Sequence, residues 1–257
     1  MTADDAVDAV DEYRMPLLEH LKELRDRLVK VTVALGLAMA VSLFFATDIM
    51  EFLAAPVDDA LIAQGIDGGL AMVKGPFEGI YTWLRAGLMG AFVLASPVVA
   101  WQIWGFVAPG LYKTERRLVL PLALSSTVMF LLGGAFTYVV VFPVAFQFLF
   151  TVLDVDISMS VEGYLSAVIK LMFGFGMSFQ LPVAVFFMAK MGLIDHRDMM
   201  GGFRYAVVAI FVIAALMTPP DLYTQALLAI PLVGLYGVGI VVAWMFTTKT
   251  PPASTDS

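Results

Sequence analysis

Six long apolar runs, separated by short polar gaps, occupy most of this 257-residue chain. They cover residues 28–46, 84–106, 118–142, 165–189, 203–217 and 222–247. A helix of roughly 17–25 apolar residues crosses the ~30 Å hydrocarbon core of a bilayer. No single water-soluble core can hide so many such segments. Composition agrees: 60% of residues are hydrophobic and 14% charged, against about 45–50% and 25% in soluble domains, and mean hydropathy is +0.88. The lipid bilayer is therefore this chain's solvent. The expected fold is an all-α membrane protein with six transmembrane helices, preceded by a cytoplasmic amphipathic N-terminal helix. The fifth and sixth spans are expected to be short.

Prolines punctuate the runs. The third stays uncharged from Leu118 to Asp154, too long for one helix, and Pro143 is the expected place for a bend or an end. Beyond it, PVAFQFLFTVLD is expected at the membrane interface. The fifth run ends at Thr218-Pro219-Pro220-Asp221. From Phe203 to Met217 it spans only about 22 Å at 1.5 Å per residue. Two readings stay open: a short helix packed among its neighbours, or local thinning of the bilayer.

Lysine and arginine set the direction. With the N-terminus inside, the inner segments carry Arg14, Lys22, Arg25, Arg27, Lys30, Lys113, Arg116, Arg117, Lys190, Arg197, Arg204 and Lys249, and the outer ones only Lys74, Arg85 and Lys170. Both termini are expected in the cytoplasm (N-in, C-in). The net charge of −7 does not oppose this, because the rule counts cations. Residues 1–14 read as a disordered acidic tail without the basic start and apolar core of a signal peptide. Residues 15–248 form a single membrane domain, and 249–257 a flexible cytoplasmic tail.

Several kinds of chemistry have no signature here. The chain has no cysteine, hence no disulfide or thiolate. His20 and His196 stand far apart and outside any metal motif, and no phosphate loop or nucleophile elbow occurs. Span interiors carry almost no ionisable residue, which proton relays and ion pumps usually need. No enzyme activity, cofactor, metal or nucleic-acid partner is expected. A small-molecule secondary transporter remains the alternative, although no internal repeats support it.

The distinctive charge lies on the inner side. In MPLLEHLKELRDRLVK (15–30), Leu17, Leu21, Leu24 and Leu28 make an apolar stripe at helical spacing, while Glu19, His20, Glu23, Asp26 and Arg27 cover the rest. This predicts an amphipathic helix on the inner surface leading into span one, with Pro16 in its first turn. Between spans two and three, WGFVAPGLYKTERRLVLP places Glu115 beside Arg116 and Arg117. Glu23 and Arg27 lie at i,i+4, a spacing that by itself supports an ordinary surface ion pair worth about 0.3–0.5 kcal/mol.

These segments carry a resemblance. HLKELRDRL at 20–28, SPVVAWQIWGFVAPGLYKTERR at 96–117, VVFPVAF at 140–146 and TPPDLYTQALLAIP at 218–231 resemble, in order, the TatC family of the twin-arginine protein translocase. The resemblance implies a subunit that recognises signal peptides bearing paired arginines. It implies export of folded proteins, driven by the proton-motive force, with TatA- and TatB-type single-span partners and other TatC copies. It places the multi-pass chain in a prokaryotic plasma (inner) membrane.

It also implies site residues. Glu23 and Glu115 fall where the family's glutamates meet the arginine pair, with Arg25 and Arg27 orienting the acids. A guanidinium offers a carboxylate a planar fork of donors that lysine cannot copy. Phe106 is expected in the nearby inner loop, and Pro56 in the first outer loop, where it serves that loop's fold. Met217, Asp221 and Gln225 lie where partner helices dock, Asp221 being equally suited to cap span six. Many relatives carry glutamate where this chain has Gln180, which cannot ionise. That disfavours a proton-carrying role and favours a polar docking point within the bilayer. Pro182 is expected to kink the same span, and Lys170 to snorkel outward. The paired glycines of spans three, four and six read as packing residues.

Overall fold

The computed structural model describes residues 3–63, 77–107, 118–145, 161–217 and 222–246. They fold into α1 (Ala3–Phe44), α2 (Ala46–Ala63), α3 (Glu78–Val107), α4 (Val119–Phe136), α5 (Val161–Ser178), α6 (Gln180–Lys190), α7 (His196–Met217) and α8 (Leu222–Phe246). A π turn at Thr137–Val141 extends α4, and the helix runs on to residue 145. Six stretches are long and apolar enough to cross a membrane, one for each apolar run: Glu19–Phe44, Glu78–Val107, Val119–Ala145, Glu162–Lys190, His196–Leu216 and Gln225–Phe246.

The fifth and sixth spans are the shortest, with 21 and 22 residues against 26 to 30 for the others. Neither is too short to cross, however. The fifth begins at His196 rather than Phe203, and 21 residues rise about 32 Å at 1.5 Å each. His196, Arg197, Asp198 and Arg204 occupy its first turns, so the uncharged part starts only at Tyr205.

At the N-terminus the backbone is helical from Ala3. The amphipathic segment leads into span one without a break, and together they form one helix of 42 residues, with Pro16 inside it. Leucine, glutamate, lysine and arginine are good helix formers and ADDAVDAV is alanine-rich. Extending an existing helix adds one hydrogen bond per residue fixed, which is far easier than starting another.

Both predicted proline breaks occur, but locally. A proline ring collides with the carbonyl four residues back, which for Pro143 is that of Val139. The helix does not end there. It widens, and the Phe142 N–H reaches the Thr137 carbonyl five residues back. For Pro182 the crowded carbonyl belongs to Ser178, where α5 stops. Phe179 separates it from α6.

Packing passes from neighbour to neighbour: α1 on α3, α3 on α4, α4 on α5, α6 on α8, and α7 on α8. α1 and the α7–α8 hairpin thus stand at opposite ends of a row. One apolar cluster (Leu53, Val57, Phe142, Tyr164, Leu165, Val168) lies where α2 covers α4 and α5. A second (Val141, Phe175, Ile210, Ala214, Leu228, Ala229, Leu232) joins α4, α5, α7 and α8. α4 and α5 touch backbone to backbone. A Cβ on Gly133 would lie 2.7 Å from the Phe175 carbonyl oxygen and 2.8 Å from Gly176 Cα. Large apolar side chains such as Leu37, Phe44, Val139, Leu216 and Trp244 point outward, as a lipid-facing surface requires.

Candidate functional site

The amphipathic part of α1 turns its polar face, not its leucines, toward the bundle. Leu21 and Leu28 are 59% and 61% exposed. The side chains of Arg27 and Glu23 are only 23% and 32% exposed. The Arg27 guanidinium donates to one oxygen of Glu23 twice, from Nε at 3.0 Å and from Nη2 at 2.6 Å. Its Nη1 donates to Gln102 Oε1 on α3 at 3.4 Å. One turn before Glu23, His20 stacks on Phe106, with centroids 4.4 Å apart and rings 19° from parallel. Four side chains thus fasten α1 to the last turns of α3.

The i,i+4 pair therefore exists, but it is more than a solvated surface contact. Arg27 bridges two helices and holds the Glu23 carboxylate by Oε1. Glu23 Oε2 has no hydrogen-bond partner among the described residues. Around it, Glu19, Lys22, Glu23, Asp26, Arg27 and Lys30 line an open concavity of about 430 Å³. Three acids and three bases share this stripe.

Arg25 does not join the pair. It reaches Asp26, by Nε at 3.0 Å and Nη2 at 2.8 Å, on the exposed side of the helix. Phe106 lies within α3 rather than in the loop that follows. Glu115 and Asp221 lie outside the described residues, as do the side chain of Met217 and the tail 249–257. Sequence reasoning missed Gln102, Gly105 and the His20 stack. A lone glycine in the apolar context WQIWGFV was the available signal for Gly105.

At the opposite end, α2 covers the bundle, and Pro56 lies inside it. Having no N–H, Pro56 leaves the Phe52 carbonyl without its helix donor. The Tyr138 hydroxyl donates to that carbonyl at 2.8 Å, and the two rings stack at 4.5 Å. The Tyr164 hydroxyl donates to the next carbonyl, of Leu53, at 2.7 Å. Nearby, Arg85 pairs with Glu162 at 3.1 Å, and the Glu78 carboxylate accepts the Glu162 N–H at 3.4 Å.

The profile of the family described as Sec-independent protein translocase protein (TatC) matches residues 19–231. The chain belongs to the TatC family. The TatC protein of Escherichia coli (strain K12) is 38% identical over 240 residues, 93% of this chain and 92% of that protein. That of Helicobacter pylori (strain J99) is 39% identical over 232 residues, 89% of each. That of Desulforapulum autotrophicum is 38% identical over 241 residues, 93% of this chain and 88% of the relative. A crystal structure described as the twin arginine translocase receptor TatC superposes with a TM-score of 0.78. It is 34% identical and covers 89% of this chain and 100% of its own. The chain is thus a multi-pass core subunit of the Tat translocase and no enzyme. The transporter alternative has no support.

Two positions expected to meet partners within TatC are occupied inside this chain. Gln180, at the α5–α6 break, donates from Nε2 to the Ser126 carbonyl of α4 at 2.9 Å. The same serine's hydroxyl receives Trp104 Nε1–H at 2.7 Å. Gln225 donates to the Phe211 carbonyl at 2.8 Å, joining α8 to α7.

Proposed function

We propose that this TatC protein binds paired-arginine signal peptides of folded cargo at the end of the bundle where α1 meets α3. That end faces the cytoplasm with both termini, in a bacterial inner membrane. The observation that carries the reading is Glu23. Its carboxylate is fixed by Arg27, anchored through Gln102 to α3, and open at Oε2. Nine residues beyond Phe106 along the chain, Glu115 supplies a second acid beside Arg116 and Arg117.

The chemistry favours arginine. Two N–H groups of a guanidinium span two acceptors in one plane, whereas an ammonium is a point charge that neighbouring cations repel equally. Charge-assisted hydrogen bonds of this kind are worth about 1.5–3 kcal/mol each. Arg27 already takes Oε1, so a peptide arginine meets Glu23 through Oε2 and finds its second acceptor elsewhere, Glu115 being the one assigned here. Arg25 acts on the site's rim through Asp26, and the Phe106–His20 stack sets the angle between α1 and α3.

Capture is followed by entry of the signal's apolar part along the bundle. TatA- and TatB-type single-span helices and further TatC copies then assemble along spans four to six, and the proton-motive force drives transport. Met217 and Asp221 are docking positions in this scheme. Gln180 and Gln225 contribute their amide oxygens, since an amide N–H of each is bound within the chain.

Binding of a twin-arginine signal peptide to the purified protein in detergent tests this, beside a peptide with both arginines changed to lysine. Wild type is expected to prefer the arginine peptide by about tenfold or more, the effect of one lost charge-assisted bond. Glu23→Ala and Glu115→Ala are expected to erase the preference. Discrimination that survives both substitutions sinks the site, and absence of any preference in wild type sinks the receptor reading.

A further inference from the structure

The last turn of α3 contains a glycine whose missing side chain is filled by an arginine from another helix. A Cβ built on Gly105 would lie 3.1 Å from Arg27 Cζ and 3.3 Å from Nη2, and it would overlap Nη1. These are not packing distances that a methyl group can share. The obstacle is the tip of a flexible side chain, not backbone, so an added methyl expels the guanidinium and leaves the helices in place. Gly133 is the contrast: there the atoms in the way are the backbone of α5.

We propose that Gly105 is a specificity-determining position of the site, a socket that seats Arg27 so that Glu23 presents Oε2 in a fixed direction. This rests on the reading of Glu23 as an arginine acceptor. The geometry links the elements one by one. Gly105 leaves room, Gln102 Oε1 one turn away receives Nη1 at 3.4 Å, and Nε and Nη2 then converge on Glu23 Oε1 at 3.0 and 2.6 Å. One carboxylate oxygen has about two lone pairs, and Arg27 uses both on Oε1. The ligand is left the other oxygen alone. A guanidinium docked there must find its remaining acceptor on a neighbouring group, so one arginine is read by two residues. An unseated Arg27 is free to claim both oxygens or neither, and the carboxylate becomes an unspecific anion. Gly105 and Gln102 act through Arg27 and Glu23, so they are positioning residues.

Gly105→Ala in the full-length protein separates this role from simple packing. Alanine is the better helix former, so the substitution is expected to leave the thermal midpoint in detergent unchanged or raised. The preference for the twin-arginine peptide over its lysine counterpart is expected to fall about tenfold. Gly201→Ala, whose Cβ meets nothing within 4 Å, serves as control and is expected to keep the preference. A second readout needs no peptide: the ¹⁵N resonance of Arg27 Nε, labelled in the detergent-solubilised protein and assigned by its loss in Arg27→Lys. It is expected to shift in Gly105→Ala and not in Gly201→Ala. An unmoved Arg27 resonance overturns the socket whatever the peptides do. A moved resonance with peptide preference intact overturns its role in specificity. A moved resonance in a protein whose wild type shows no preference leaves the socket standing and places the failure in the receptor reading.

Discussion

A double-mutant cycle between Pro56 and Tyr138 tests how the α2 end is held. The Phe52 carbonyl accepts the Tyr138 hydroxyl at 2.8 Å because residue 56 has no N–H to offer. Tyr138→Phe keeps the ring stack on Phe52 and removes only the donor. A net hydrogen bond contributes about 0.5–1.5 kcal/mol. This one is exposed, so the lower half of that range, about 0.5–1 kcal/mol, applies. In Pro56→Ala the alanine N–H supplies the missing helix donor, and Tyr138→Phe becomes nearly free. The expected coupling is therefore about 0.5–1 kcal/mol, the size seen for residues sharing one network. Tyr164 is the internal control. Its hydroxyl serves Leu53, whose helix donor, the N–H of Val57, is unaffected by residue 56. Tyr164 is 2% exposed, and the Leu53 carbonyl keeps its helix donor, so Tyr164→Phe removes one ordinary hydrogen bond and costs about 0.5–1.5 kcal/mol in either background. Thermal unfolding of the purified variants in detergent reads these differences, at about 2–4 °C per kcal/mol for a chain of this size. Tyr138→Phe costing the same with alanine as with proline at 56 would refute the argument, as would a Tyr164→Phe cost that depends on residue 56.

The same unfolding assay checks the helix contacts of the bundle interior. Gly133→Ala is expected to lower stability by about 1–3 kcal/mol, because backbone atoms of α5 stand within 3 Å of the new methyl and cannot yield. Gly134→Ala, next door, meets only the Met172 methyl at 3.6 Å and is expected to be neutral or slightly stabilising. Gln180→Leu keeps the bulk and loses the bond to Ser126. Interhelical hydrogen bonds in membranes average about 0.6 kcal/mol, so a loss of about 0.5–1.5 kcal/mol is expected. A drop well above 2 kcal/mol would mean that the amide supports more than that one bond.

What the sequence disclosed follows from its solvent. Six apolar runs disclose six spans because a bilayer tolerates little else across its core, and Pro143 and Pro182 mark distortions because each lacks one N–H. The leucine stripe of α1 shows the limit. In water an apolar stripe marks the face that packs on the protein. Here lipid is as apolar as leucine, so Leu21 and Leu28 stay outside while Glu23 and Arg27 turn inward. Periodicity located the two faces correctly, and the leucines face outward as a helix on the membrane surface requires, but it did not disclose that the polar face packs on α3. The spacing of Glu23 and Arg27 announced an ion pair, yet nothing local announced Gln102 or Gly105, which meet Arg27 from another helix. The orphaned carbonyl of Phe52 was deducible from Pro56. The tyrosine that satisfies it was not, since only the fold brings residues 52 and 138 together.

Position 180 bears on how the energy source is used. A residue that carries protons across a membrane must gain and lose one, and a glutamine does neither. Its amide is also engaged. Nε2–H holds the Ser126 carbonyl, and the Ser126 hydroxyl takes the Trp104 indole, so three helices meet at one polar knot beside the Pro182 break. Breaking the Gln180 bond leaves its amide N–H without a partner in an apolar bundle. The arrangement suits a fixed brace better than a relay. If the proton-motive force drives this subunit, the proton passes through other groups, on partner helices or at the polar ends of the bundle. Gln180→Glu separates the two roles. A brace predicts that the substitution weakens the knot without conferring new transport, and a relay position predicts transport above wild type.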